Sequence, residues 1–135
     1  MKKVDVVGAA IYDSTIRKYL VTMRDKNRNQ GGLWEFPGGK IEKGESNEEA
    51  LKREIYEELK ISISVHKLLV DYTYEYPETV VRLITYLCTI EDGKPELTEH
   101  ENMKWVTVEE MKLLEFAPAD IPTVEILSKN NFKQF

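Results

Sequence analysis

Between Gly38 and Ile61 the chain reads GGKIEKGESNEEALKREIYEELKI, and no other stretch restricts the fold as much. Ser46 and Glu49 form a capping box, in which hydroxyl and carboxylate each satisfy a backbone N–H at a helix start. From there Leu51, Ile55 and Leu59 recur at intervals of four, the spacing of one helical face. That apolar face has to be covered by other parts of the chain. On an ideal helix Ala50, Arg53, Glu54, Glu57 and Glu58 fall within one arc of about 140°, next to the apolar arc. The acidic edge therefore lies at the rim of the core, where clefts form. Glutamates at i, i+3 and i+4 repel by about 0.2–0.5 kcal/mol per pair on an exposed helix, and a divalent cation against them reverses the sign. Two readings stand on these residues alone: a solvated charged helix, with Arg53 paired to Glu57, or a site for a hard cation.

Strand signals surround this helix. Val4–Tyr12 and Lys18–Arg24 are apolar and rich in β-branched residues, and the polar segment Asp13-Ser14-Thr15 between them marks a hairpin. Gln30-Gly31-Gly32 reads as a loop and Leu33–Phe36 as a short strand ending at Pro37. Long strands are expected at Ile61–Tyr76 and Thr79–Ile90, joined by a tight turn at Pro77-Glu78, with another turn at Asp92-Gly93. Met103–Val106 completes the strands. Thr107 and Glu110 make a second capping box, for a helix through about Leu114. Asp120 is expected to cap a final helix that has Pro122 in its first turn and runs to about Lys129. This alternation specifies an α/β (α+β) fold with a mixed sheet and two to three helices.

With 135 residues and neither repeats nor low-complexity tracts, a single domain over 1–135 is expected. No apolar run is long enough to span a bilayer. Asp5 breaks the apolar stretch after the two N-terminal lysines, which is unlike a signal peptide. The single cysteine, Cys88, lies in the apolar run VVRLITYLCTI and reads as a buried structural thiol, in keeping with a reducing cytoplasm. Nineteen basic residues against 24 acidic give a net charge of −5, which argues against a nucleic-acid polymer as ligand. A small polyphosphate remains compatible, because bound metal ions invert the local charge. The donors are hard oxygens with no zinc-type Cys/His set, which suits Mg²⁺ or Mn²⁺.

Gly39, Glu45 and the run Arg53-Glu54-Ile55-Tyr56-Glu57-Glu58-Leu59-Lys60-Ile61 resemble the signature box of the Nudix hydrolases. Lys60 departs from it, because the family usually places a helix-ending glycine there; an altered cap is expected, with no metal ligand lost. The segments LWEFPGGKIE (33–42) and FAPADIP (116–122) resemble the MutT-type branch, which includes 8-oxo-dGTP diphosphatases and CTP pyrophosphohydrolases. The resemblance covers nearly the whole chain and implies an α/β/α sandwich. It also implies cleavage of a nucleoside triphosphate to monophosphate and pyrophosphate by a monomer or homodimer.

Carried over residue by residue, the resemblance makes Glu54, Glu57 and Glu58 metal ligands, joined by the Gly38 carbonyl. Glu54 would also activate the attacking water, Arg53 would orient the glutamates, and Glu45 would brace the loop. A distal carboxylate is expected from Glu99, with Glu101 as runner-up. His100 is expected to be a surface or loop-bracing residue and not a ligand, and His66 gives no functional signal. Arg24, Phe36, Lys40 and Asp120 would bind substrate. Phe36 reads equally as a core aromatic, and Arg24 as a solvated strand end. An ionised Asp120 only accepts hydrogen bonds, which suits the cytosine amine and also the N–H groups of an oxidised guanine. The rival readings are a hydrolase of nucleotide sugars or dinucleoside polyphosphates, and a catalytically silent nucleotide sensor.

Overall fold

A computed structural model describes residues 2–129, so residue 1 and residues 130–135 of the expected domain lie outside the described set. Strand β1 (Lys2–Asp13) is the axis of the sheet. It is buried from Val7 to Tyr12, as a central strand covered on both faces must be. Its side chains alternate: Val7, Ala9 and Ile11 enter one core, Ala10 and Tyr12 the other.

Along one edge β1 pairs in parallel with β6 (Thr79–Asp92), from Lys2 opposite Thr79 to Ile11 opposite Cys88. β5 (Ser62–Glu75) returns antiparallel on β6, and the Tyr76 N–H donates to the Thr79 carbonyl at 2.8 Å to close the expected turn. The other edge of β1 forks. Ile11–Asp13 pair with β2 (Lys18–Met23), while Val6–Gly8 pair with β4 (Gly38–Lys40), both antiparallel. In the fork the Ala9 N–H donates to the Pro37 carbonyl at 2.8 Å. β2 also pairs with β3 (Trp34–Glu35) and β7 (Asn102–Val106).

Helix α1 (Asn47–Leu59) buries Leu51, Ile55 and Leu59 against the first core. Helices α2 (Val108–Met111) and α3 (Ile121–Lys129) put Met111 and Leu127 into the second. The expected sandwich with a mixed sheet and three helices is thus present. Cys88 is fully buried. Among the described residues no helix is long and apolar enough to cross a membrane.

Three local expectations differ. Gly38–Lys40, whose glycines lead one to expect a turn before the helix, is a strand, because the free edge of β1 supplies partners that override the low strand propensity of glycine. The Leu33–Phe36 strand shrinks to two residues, since Pro37 has no N–H to extend the ladder. Helix α2 stops at Met111, and the Leu113 and Leu114 N–H groups turn back to Glu110 and Met111 in i→i+3 bonds. Leu113 is 86% exposed there, with no burial to extend the helix.

Lys60 does not change the cap geometry. Its backbone sits at φ 61°, ψ 31°, the left-handed conformation a glycine would adopt, and its N–H donates to the Tyr56 carbonyl at 3.0 Å. The departure from glycine therefore costs strain and not shape. We predict that Lys60→Gly stabilises the protein by about 0.5 kcal/mol, the left-handed penalty offset in part by the freer unfolded chain. Urea unfolding checks this, and a destabilised variant would mean that the lysine side chain, 5.9 Å from the Tyr56 ring, outweighs the strain.

Candidate active site

The site begins with two places where no side chain fits. A Cβ on Gly38 would lie 1.9 Å from the Val7 carbonyl oxygen, and one on Gly39 would lie 2.2 Å from Glu54 Oε2. The first glycine lets β4 close on β1. The second leaves the space that the Glu54 carboxylate occupies.

Arg53 organises the acidic edge of α1. Its Nε donates to Glu45 Oε2 at 2.6 Å and its Nη2 to Glu45 Oε1 at 2.9 Å, a bidentate pair. Nη1 donates to Glu54 at 2.8 Å and to Glu57 at 3.1 Å, and Nη2 reaches the Lys40 carbonyl at 3.0 Å. One guanidinium thus ties α1, the loop before it and β4 together. The Arg53 hydrogen bonds, helped by the Glu42 N–H, pull the Glu45 carboxyl down to about 2. The structure thus brings Arg53, Glu45, Glu54 and Glu57 together, with Glu45 on the loop and the other three on the helix.

Glu58 is the buried member, 9% exposed, and its Oε1 has no partner. Burial, followed by the charges of Glu54, Glu35 and Glu99, pushes its carboxyl up to about 8. Glu54 is raised as well, chiefly by burial and against the pull of Arg53. The loop after β6 docks on the end of α1: the Glu96 N–H donates to the Leu59 carbonyl at 2.9 Å, and the Thr98 hydroxyl to the Glu58 carbonyl. This sets Glu99 beside Glu54 and Glu58. Glu101 is exposed, with its N–H on the Met23 carbonyl. Of the two candidates for the distal carboxylate, Glu99 is the one the fold brings to the cluster.

These groups line a cleft of about 810 Å³, with Gly38, Glu54, Glu58 and Glu99 in its wall. Glu57 is exposed at the outer side and joins the cluster through Arg53. Among the described residues no three acidic, His or Cys side chains converge as a finished metal set. Glu54 and Glu57 instead pair with the Arg53 guanidinium. The donor chemistry still fits a hard divalent ion: all are carboxylate oxygens, and the unpartnered Glu58 oxygen gains from one what no other group gives it.

The same cleft holds Arg24, Phe36, Lys40 and Asp120. Asp120 corrects its expected role as a helix cap. A 3-10 turn, Pro118–Asp120, runs directly into α3, and Asp120 Oδ1 accepts the Phe36 N–H at 3.1 Å. Phe36 precedes Pro37, where the ladder stops, so its buried N–H needs a partner from elsewhere. Burial, then the Glu35 charge, lifts the Asp120 carboxyl well above the usual range, with the Phe36 N–H and Arg24 opposing. The Phe36 ring is 4% exposed and stacks on Phe116 at 5.5 Å, so it is mainly a core aromatic. Arg24 is not a bare strand end: its Nε pairs with Glu35 at 3.4 Å and its Nη1 donates to the Asn29 carbonyl. Lys40 is exposed at the rim. Of the two places expected for His100, surface or loop brace, the structure gives the brace: its side chain is buried, with Nε2 3.1 Å from Glu35 Oε2.

Sequence reasoning missed Glu35 and Tyr76. Glu35 alternates with the buried Trp34, which marks it as facing away from that core. The Tyr76 hydroxyl accepts the Ala119 N–H at 3.0 Å, a link with no local signal.

In the metal-free protein, the raised Glu58 carboxyl makes stability depend on pH. The folded state holds this proton up to about 8 and the unfolded chain releases it at about 4.5, so stability falls as pH rises between these values. Glu58→Gln removes that fall. Urea unfolding at pH 6 and pH 9 without divalent ions should show wild type losing more stability than the variant; equal losses would place the Glu58 charge in solvent.

Residues 2–126 match the NUDIX domain. CTP pyrophosphohydrolase from Escherichia coli K12 is 36% identical over 125 residues, 93% of this chain and 91% of its own length. An 8-oxo-dGTP diphosphatase from the same organism is 30% identical over 129 residues, 96% of this chain and 99% of its own. The crystal structure of a MutT protein from Methanosarcina mazei Go1 superposes with a TM-score of 0.83 at 25% identity, covering 96% of each chain. The glycine-lined strand, the Arg53-bound glutamates and the two-sided sheet occur here in a chain matched over nearly its whole length, and it belongs to the Nudix family of hydrolases.

Proposed function

We propose that this chain is a Mg²⁺-dependent nucleoside triphosphate pyrophosphohydrolase, releasing monophosphate and pyrophosphate from a cytosine or oxidised guanine nucleotide. The observation that carries the reading is one cleft holding both the Glu54–Glu58–Glu99 cluster and the buried Asp120. One end offers hard oxygens for a metal–polyphosphate complex, and the other a directional group for a base edge. The relatives named for CTP and for 8-oxo-dGTP support the same substrate class.

Nudix hydrolases work with a divalent metal. Glu54, Glu57, Glu58 and Glu99, with the Gly38 carbonyl, would hold it, and when bound it supplies charge neutralisation on the polyphosphate and Lewis-acid activation at phosphorus. Glu54 takes the proton of the attacking water: burial raises its basicity while Arg53 keeps it oriented. Arg53 holds Glu54 and Glu57 on one guanidinium nitrogen until a substrate complex competes for them. Lys40 at the rim places a cation near the phosphates. Because the polyphosphate brings its own negative charge, the net acidity of the chain is no obstacle once metal is shared between them.

At the base end Asp120 has one oxygen engaged by Phe36. When ionised, the other can only accept, which selects an amine or ring N–H. With its carboxyl raised by burial, Asp120 also donates over part of the pH range, and reads an edge as an amide would. Cytosine preference is therefore expected to grow with pH.

Two measurements test the function. Glu57→Gln should stay folded and lose several orders of magnitude in turnover; near-normal Mg²⁺-dependent hydrolysis of every triphosphate would remove the metal assignment. Asp120→Asn should lower kcat/KM for CTP and dCTP by about tenfold relative to 8-oxo-dGTP. Pyrophosphate release from a panel of triphosphates reads both, and an unchanged ratio would take Asp120 out of base selection.

A further inference from the structure

Glu35 stands on a fixed post. β3 is only two residues long, yet it is held on both sides: Thr22 and Met23 of β2 pair with it, the Trp34 N–H donates to the Glu115 carbonyl at 2.9 Å, and the Trp34 carbonyl accepts the Ala117 N–H at 2.9 Å. The Thr22 hydroxyl adds a bond to the Glu35 carbonyl. From this post the carboxylate divides its oxygens between two elements. Oε1 takes Arg24, at the base end of the cleft, and Oε2 takes His100, on the loop after β6.

That loop is pinned on either side of Glu99. Thr98 bonds the Glu58 carbonyl and His100 bonds Glu35, so the two neighbours of the distal carboxylate have separate anchors. The His100 side chain is 6% exposed, and its Nδ1 is buried with no partner. A histidine kept in that position at the cost of an unsatisfied nitrogen makes its other contact the reason for its orientation. We infer that Glu35 is a positioning residue: through Arg24 and His100 it ties the base-binding end of the cleft to the loop that presents Glu99.

This rests on the hydrolase reading above, and it adds a physical link between recognising a base and completing the reactive cluster. A nucleotide that engages Arg24 alters the charge balance on Glu35, and Glu35 passes it to the residue next to Glu99. Rejection of a wrong base then appears in kcat as well as in KM.

His100→Phe and His100→Gln separate the tie from plain packing. The amide of glutamine can still donate to Glu35, whereas phenylalanine cannot. Amide exchange in the protein without divalent ions needs no turnover. The Glu101 amide, bonded to Met23, should exchange faster by on the order of tenfold in the phenylalanine variant and near wild type in the glutamine variant. Unchanged exchange in His100→Phe overturns the inference whether or not the chain hydrolyses any triphosphate. On a triphosphate that wild type hydrolyses, His100→Phe should lower kcat by on the order of tenfold with KM nearly unchanged, and far less in a Glu99→Gln background. Equal losses in both backgrounds overturn the positioning role. Glu35→Gln should raise KM and quicken Glu101 exchange together; a response at one end alone breaks the tie. A wild type that hydrolyses no triphosphate sinks the hydrolase reading instead, and the exchange results still decide the link.

Discussion

The Arg53 guanidinium is the interaction on which the acidic site depends. Without it, Glu45, Glu54 and Glu57 would face one another with nothing to compensate their repulsion. With it, five hydrogen bonds join α1, the loop before it and the carbonyl of Lys40. A planar fork of donors does this where a lysine could not, because it addresses several acceptors at fixed angles. Arg53 is half of a matched pair with Gly39, whose missing side chain leaves Glu54 its place. The cluster is kept ordered while remaining short of cations, and this makes a divalent ion a favourable addition.

What gives this cluster a cleft to line is the fork in β1. One strand edge serves β2 with its last residues and β4 with earlier ones. Strands that diverge from a shared partner leave a wedge of space, and here α1, the loop after β6 and the Asp120 turn close on it. The pleat of β1 explains the two cores: Val7, Ala9 and Ile11 serve one side and Ala10 and Tyr12 the other. The cleft therefore has a rigid floor.

Much of this was legible locally. The capping box of α1, its apolar stripe and the adjoining acidic arc all rest on contacts within four residues, and all are found as expected. The β1–β2 hairpin and the β5–β6 turn follow from equally local chemistry. Legibility failed where a distant partner outbid a local preference. Asp120 has the composition of a cap, yet it serves an N–H 84 residues away. Gly38–Lys40 has almost no strand propensity, yet it pairs because β1 offers an open edge. Phe36 was equally a stacking face or a core ring, and the packing of Phe116 decided for the core.

The sequence by itself determined which groups are on offer: carboxylate oxygens on a helix whose apolar face forces them to the rim of a core, with a pair of glycines before them. These properties depend on residue type and on spacings of a few residues, which no tertiary arrangement alters. Only the tertiary structure decided that Glu99 and not Glu101 joins the cluster, that Glu58 is the buried carboxylate with a free oxygen, and that Glu35 sits between Arg24 and His100. The physical reason is that burial and long-range pairing are properties of where β1 sends its partners. A carboxylate's neighbours, and with them its charge state, are fixed only when the sheet has closed.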